Sequence, residues 1–118
     1  MPAAPFIEVE VNGLSVDGQT RHVWALADSG SDATMLPLRI LNAVGATYKE
    51  TRWMRGVAHG RVEVDLYLVS LNVGDMEIPG LHVIATHEAN EAILGRDALN
   101  QMVVTLNGLA NVTQIHVP

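Results

Sequence analysis

One segment of the chain, residues 25–36 with the sequence ALADSGSDATML, places an acidic residue where it could do chemistry. An apolar, strand-like run leads into Asp28, and the chain then turns at Ser29-Gly30. A carboxylate between apolar flanks is costly to ionise unless hydrogen bonds support it. Such a position is better suited to an Asp that exchanges protons in catalysis than to an Asp with a structural role. The arrangement occurs only once in the chain.

The elements around this segment predict an all-β fold, because short aliphatic runs are separated by turns of Gly, Asn and Asp. Asn12-Gly13 and Asp17-Gly18 are each typical of hairpin turns, since these residue types tolerate a positive φ. Short helices are expected at residues 38–43 and 96–101. Strands at the observed spacing predict a closed or sandwiched β-domain. They are expected at residues 6–11, 21–27, 34–36, 47–54, 61–73, 76–78, 81–85, 102–106 and 109–115.

Composition narrows the classes of function. The 118 residues suit one domain, 1–118, and a hydrophobic content of 48% excludes disorder. Thirteen acidic residues against seven basic ones give a net charge of −6 without a basic stripe, so no nucleic-acid partner is expected. The chain has no cysteine, which excludes disulfides and thiolate metal sites.

The sequence shows no targeting or metal-binding signal. Its start, MPAAP, lacks the basic and apolar regions of a signal peptide, and no run approaches the roughly 18 apolar residues of a membrane helix. With the absence of cysteine, these features favour a cytoplasmic protein and no membrane partner. His82 and His87 match no helical histidine motif, so no metal is expected.

Three segments, in order along the chain, resemble the retropepsin-like aspartic proteases. Residues 26–36, LADSGSDATML, are similar to the active-site segment with its Asp-Thr/Ser-Gly signature. Residues 93–97, ILGRD, resemble the second signature, an apolar pair followed by Gly-Arg-Asp/Asn at the start of the C-terminal helix. Residues 54–60 lie in the position of the flap. The resemblance covers nearly the whole chain.

The resemblance implies a single-lobe, closed β-barrel with one short C-terminal helix, assembled as a C2 homodimer. The chain has one suitable Asp and is too short for two lobes, so the second Asp28 would come from a second copy. Two carboxylates about 3 Å apart share one proton. One then activates a water that attacks the peptide carbonyl, while the other donates to the carbonyl oxygen. The implied function is an aspartic endopeptidase that acts on extended polypeptide without a cofactor.

The resemblance also implies roles for the residues of the Asp-Ser-Gly turn. Asp28 is the expected catalytic acid and base, and Ser29 holds the two active-site loops in register. Gly30 permits the tight turn and the approach of substrate backbone. Ser31 departs from the Ala of retroviral members. A hydroxyl donated from Ser31 to Asp28 would favour the charged carboxylate, which predicts an acidic activity optimum.

Further contacts follow from the same resemblance. Asp32 and Arg96 match an ion pair within one subunit, which we expect to be buried, and Arg suits it because its planar fork can engage a carboxylate bidentately. Ser31 and Asp32 are expected to meet the substrate. Gly56, Val57 and Ala58 are expected to contact it from the flap and to exclude water.

Other interpretations stay open at this stage. The fold could serve as a non-proteolytic dimerisation or peptide-binding module, although a scaffold has no need of a paired carboxylate. A small β-barrel that binds a ligand has little support. Trp24 and Trp53 either line a substrate pocket or pack in the core or at a dimer edge.

Overall fold

The computed structural model describes residues 5–14, 18–55, 60–87 and 90–108, except for the side chains of 103–108. No helix in these ranges is both long and apolar enough to cross a membrane. Their elements, in chain order, are β1 (Phe6–Asn12), β2 (Arg21–Ala27), β3 (Met35–Pro37), α1 (Leu38–Ala43), β4 (Thr47–Arg55), β5 (Arg61–Val73), β6 (Met76–Thr86), β7 (Ala92–Leu94) and α2 (Arg96–Gly108).

The strands pair in the order β1-β2-β7-β3-β6-β5-β4, and β1 also pairs with β5. The β1–β5 pairing closes six strands into a barrel, while β4 extends beyond it as the outer arm of a hairpin with β5. This closed barrel with its C-terminal helix confirms the predicted all-β fold class. Aliphatic side chains fill the interior, as the low aromatic content requires; the largest are Leu36, Leu41, Leu71, Ile78, Leu94 and Met102.

The strand predicted for residues 102–106 is wrong, because these residues continue helix α2, which ends at Gly108. The β-branched run that favoured a strand follows a helix that has already begun at Arg96, and extending a helix costs far less than nucleating one. Ala98 and Met102, four residues apart, are both buried against the barrel. The second strand predicted for this hairpin, 109–115, lies outside the described residues.

The segments 76–78 and 81–85 form one strand, β6, rather than two. Leu71 pairs with Ile78 and Val69 with Leu81, so that Pro79 and Gly80 together oppose Ser70. Gly80 has a φ of 64°, as expected for the glycine of a β-bulge. The Pro-Gly pair therefore bends the strand without ending it.

The predicted tight hairpin at Asn12-Gly13 is also wrong. The partner of β1 is β2, which begins only at Arg21, and the connection between them approaches the end of α1. A Cβ on Gly13 would lie 2.1 Å from the carbonyl oxygen of Val44, so close packing explains this glycine. The Asp17-Gly18 turn lies partly outside the described residues.

A carboxylate lies at the seam where the barrel closes. Glu10, opposite Asn72 in the β1–β5 pairing, accepts hydrogen bonds at Oε2 from Nδ2 of Asn12 (2.8 Å) and of Asn72 (2.6 Å). The Nε2 atom of His22 lies 3.9 Å from Glu10 Oε1. The amide donors, Asn12 first, hold the pKa of Glu10 below its ordinary value of 4.5. The ionised side chain therefore ties β1 to β5.

This lowered pKa predicts a pH dependence of stability. The stabilisation from Glu10 is present above its unfolded pKa and is lost as the pH falls through the lower folded value. Glu10→Gln should therefore be less stable than wild type near neutral pH, and should lose less stability between about pH 5 and about pH 3. Urea denaturation at several pH values measures both, with Glu8→Gln, on the same strand, as the control. If the free energy of unfolding fell equally for wild type and Glu10→Gln between about pH 5 and about pH 3, this role of Glu10 would be contradicted.

Candidate active site

Asp28 follows the last residue of β2 and is held there by backbone hydrogen bonds. Its N–H donates to the carbonyl of Leu94 in β7 (3.0 Å), which continues the parallel β2–β7 pairing. Its carbonyl accepts the N–H of Ser31 (3.1 Å), and its Oδ1 accepts the N–H of Gly30 (2.9 Å). The Asp28 side chain is half-buried, whereas Ser29 and Gly30 are exposed. The turn thus orients one carboxylate at the rim of the barrel.

The hydroxyl of Ser31 is not donated to the Asp28 carboxylate. Its Oγ donates to the carbonyl oxygen of Ala33 (2.8 Å), within the same loop. The prediction that this hydroxyl supports the charged form of Asp28 is therefore wrong, and the acidic optimum loses that basis. The backbone of Gly30 provides the donor instead, while the Ser31 hydroxyl braces the turn.

Asp32 and Arg96 do form an ion pair, between Asp32 Oδ1 and Arg96 Nη2. The backbone N–H of Arg96 also donates to the carbonyl of Ser31 (2.8 Å), so the loop after Asp28 is joined to the start of α2. The expected burial is not found: the Arg96 and Asp32 side chains are 53% and 76% exposed in the single chain. Both lie on the surface where the loop meets the helix, and such exposed pairs stabilise a fold only slightly.

A network of hydrogen bonds beside Asp28 involves Thr34 and Asp97. The sequence analysis did not select either residue as part of the site. Thr34 is fully buried, and it is the only buried polar residue among those that the structure describes. Its Oγ1 donates to Asp97 Oδ1 (2.7 Å) and accepts the N–H of Gly95 (3.1 Å). Its own N–H donates to Asp97 Oδ2 (3.1 Å). The network locks the loop that carries Asp28 onto the start of α2, where a carboxylate also complements the helix dipole.

Close packing of Gly95 against Ala33 also holds the loop that carries Asp28 against the start of α2. A Cβ at Gly95 would lie 2.5 Å from the carbonyl carbon and oxygen of Ala33, so no larger residue fits without moving backbone. The sequence held a signal for the network, because a Thr inside the apolar run ATML needs a hydrogen-bond partner when it is buried. An Asp in the first turn of a predicted helix supplies one.

A row of aliphatic side chains crosses the sheet next to Asp28. Directly paired residues point to the same face of a sheet, and Asp28, two residues after the first member, continues on that face. This face is opposite to the one that packs into the barrel core. The aliphatic row runs over β2, β7, β3, β6 and β5 through Leu26, Ile93, Met35, Ile84 and Leu66.

The aliphatic row is partly open to solvent. Its members nearest to Asp28, Leu26, Ile93 and Met35, are only half-buried, whereas Ile84 and Leu66 are almost fully buried. The row therefore provides an apolar surface beside the carboxylate. Sequence reasoning missed it, because the strand register that aligns these residues comes from non-local pairing.

Residues 54–60, for which a flap is predicted, fall where β4 and β5 are joined, and these two strands pair as a hairpin. Every residue of β4 is exposed. The expected flap contacts Gly56, Val57 and Ala58 lie outside the described residues. Trp24 and Trp53 are 64% and 61% exposed in the single chain, so neither packs in the core.

Among the residues that the structure describes, no three His, Asp or Glu side chains lie close enough together to hold a metal ion. His87 is instead placed against Asp65, with its Nε2 atom 3.2 Å from Asp65 Oδ2.

The Thr34 network predicts a stability effect. Thr34→Val keeps the shape of the side chain but leaves the buried N–H of Gly95 without its acceptor. It also removes one of the two hydrogen bonds that Asp97 Oδ1 accepts, while the one from the N–H of Ala98 remains. The free energy of unfolding, measured in urea, should fall by about 2–4 kcal/mol. The control Thr34→Ser keeps the hydroxyl, and loss of its methyl should cost only about 1 kcal/mol. Equal stability of the Val and Ser variants would contradict the role assigned to the hydroxyl.

Comparisons with known proteins agree with this geometry. A family model described as aspartyl protease matches residues 7–113, while no curated protein matches the sequence. The fold is similar to that of EIAV protease complexed with the inhibitor HBY-793 (TM-score 0.68, 21% identity, covering 87% of this chain and 91% of that chain). It is also similar to the retroviral protease-like domain of Ddi1 from Leishmania major (TM-score 0.56, 23% identity, covering 87% and 80%). The chain therefore belongs to the aspartyl protease family and has its retropepsin-like, single-lobe fold.

Proposed function

We propose that this protein is an aspartic endopeptidase whose active site forms between two copies of the chain, each contributing Asp28. One observation carries the proposal: in a chain of the aspartyl protease family, a strand-end carboxylate oriented by Gly30 lies beside an open aliphatic row. One carboxylate cannot act as base toward a water and as acid toward a carbonyl at once. Asp32, the next acid along the chain, is paired with Arg96. A C2 dimer supplies the missing carboxylate.

The chemistry follows from two carboxylates that share one proton and titrate as a unit. The ionised Asp28 takes a proton from a water held between the two, and the water oxygen attacks the peptide carbonyl carbon. The protonated Asp28 of the other copy donates its proton to the carbonyl oxygen. When the tetrahedral intermediate collapses, a proton moves to the leaving nitrogen and the C–N bond breaks. Ser29 would hold the two loops in register during these transfers.

The aliphatic row defines the proposed substrate class. An extended polypeptide presents its side chains alternately to the two sides. The side chains that point toward Leu26, Ile93 and Met35 would be aliphatic, because this surface is apolar and half-buried. Ser31 and Asp32 would contact the substrate beside the carboxylates.

The flap would complete this arrangement. The tip of the β4–β5 hairpin, Gly56, Val57 and Ala58, would close over the bound polypeptide and exclude water from the two carboxylates. Water exclusion strengthens the electrostatic interactions within the site.

Cleavage of a denatured protein mixture, followed by mass spectrometry from about pH 4 to about pH 8, tests the proposal. Asp28→Asn should lower the rate at least about a hundredfold, because it removes the acid–base group. Asp75→Asn, in the turn between β5 and β6, is the matched control and should cleave like wild type. Sedimentation equilibrium should give a dimer for all three proteins. Equal cleavage by wild type and Asp28→Asn would overturn the proposal and leave a peptide-binding module.

A further inference from the structure

Positive charge is concentrated in one part of this acidic chain. Residues 47–61 hold four of the seven Lys and Arg residues but only one of the thirteen acidic ones. The remainder carries three basic and twelve acidic residues. The β4–β5 hairpin as a whole carries four basic side chains, Lys49, Arg52, Arg55 and Arg61, against three acidic ones, Glu50, Glu63 and Asp65.

The strand register sorts the hairpin residues into two faces. Met54 pairs with Val62, on the side where Leu66 continues the aliphatic row. Trp53 pairs with Glu63 and Arg55 with Arg61, so these four side chains share the opposite side. We call this side the outer hairpin face. It points away from the face of the sheet that carries Asp28.

Two guanidinium groups lie next to each other on the outer hairpin face. Arg55 lies directly opposite Arg61, and like charges in this relation destabilise a sheet. Arg52 by contrast has its Nε atom 2.7 Å from Glu50 Oε1. No carboxylate of the described residues forms an ion pair with Arg55 or Arg61. Glu63 and Asp65 share their face, but Asp65 lies against His87 instead. An anionic ligand would relieve the repulsion between the two.

Three residues of the outer hairpin face also line a concavity near the end of the hairpin. Trp53, Arg55 and Arg61 border a cavity of about 460 Å³, together with Gly60 and with Met54 of the other side. A guanidinium group can bind a carboxylate through two parallel hydrogen bonds. The largely exposed Trp53 ring adds a flat apolar surface for the rest of a ligand.

The open edge of β4 favours a polypeptide as the ligand. Among the described strands, β4 pairs with β5 alone, and its nine residues are all exposed. An unpaired strand edge accepts an extended peptide through backbone hydrogen bonds. Alternate side chains of an added strand would lie beside Trp53 and Arg55. A nucleic acid cannot form this pairing, and the acidic remainder of the chain would repel so dense an anion.

We propose that the outer hairpin face and the edge of β4 bind an acidic, extended segment of polypeptide at a site separate from Asp28. Carboxylates of the segment pair with Arg55 and Arg61, while its backbone extends the hairpin. Binding at this site does not depend on the proposed peptidase activity, and an inactive variant suffices to measure it.

The test uses Asp28→Asn combined with Trp24→Phe, which leaves Trp53 as the one tryptophan of the chain. Trp53 emission is followed during titration with a twelve-residue peptide of alternating Glu and Val, and with its Gln counterpart. The Glu peptide should bind at least about tenfold more tightly in low salt. Adding Arg55→Gln and Arg61→Gln should remove at least about tenfold of that affinity. The matched pair Arg21→Gln and Arg39→Gln removes the same charge elsewhere and should change affinity less than about twofold.

Three outcomes would overturn the proposal: equal affinity for the Glu and Gln peptides, equal losses from the two arginine pairs, or tighter Arg55-dependent binding of an oligonucleotide of equal charge. The Arg55→Gln and Arg61→Gln double variant should melt no lower than its parent, because it removes a repulsion. If it fails to fold, the single variants decide, and each should weaken binding at least about threefold.

Discussion

A buried hydroxyl fixes the part of this protein on which its proposed chemistry depends. Thr34 connects Asp97 and Gly95, and so holds the loop after Asp28 against the first turn of α2. The loop itself is short and largely exposed, and its own hydrogen bonds are few. Gly95 packs so closely against the backbone of Ala33 that a residue with a Cβ would force the backbone to move. The position of the Asp28 carboxylate therefore depends on buried groups, Thr34 and Gly95, that take no part in proton transfer.

The sequence predicted the elements whose signals are local. The apolar strand before Asp28, the helix at 38–43 and the two arms of the hairpin were found where alternation and turn residues place them. The prediction failed at 102–106, where β-branched residues follow an established helix, and at Asn12-Gly13, where tertiary packing against α1 decides the path. The aliphatic row could not be predicted, because its members come from five strands and only the non-local register aligns them. The role of Thr34 was missed because its partners, Gly95 and Asp97, lie about 60 residues away along the chain.

The sheet presents two chemically different surfaces around the hairpin. The face that continues from Leu66 to Asp28 is aliphatic, which suits apolar side chains of an extended chain. The outer hairpin face bears Arg55, Arg61 and Trp53 and suits acidic ones. Period-two alternation along β4 and β5 produces this contrast, since neighbouring residues of a strand point to opposite sides. One hairpin can thus serve the proposed catalytic cleft on one side and a separate contact on the other.

The central claim is that activity belongs to pairs of chains, since each copy offers a single Asp28. Mixing tests it most directly: wild type is held at one concentration, Asp28→Asn is added, the chains are allowed to exchange partners, and cleavage is measured. With a threefold excess of the variant, random pairing leaves about a quarter of the wild-type chains in wild-type pairs, so activity should fall to about a quarter. Activity that stays unchanged at every excess of the variant would show that one chain suffices, and would contradict the account.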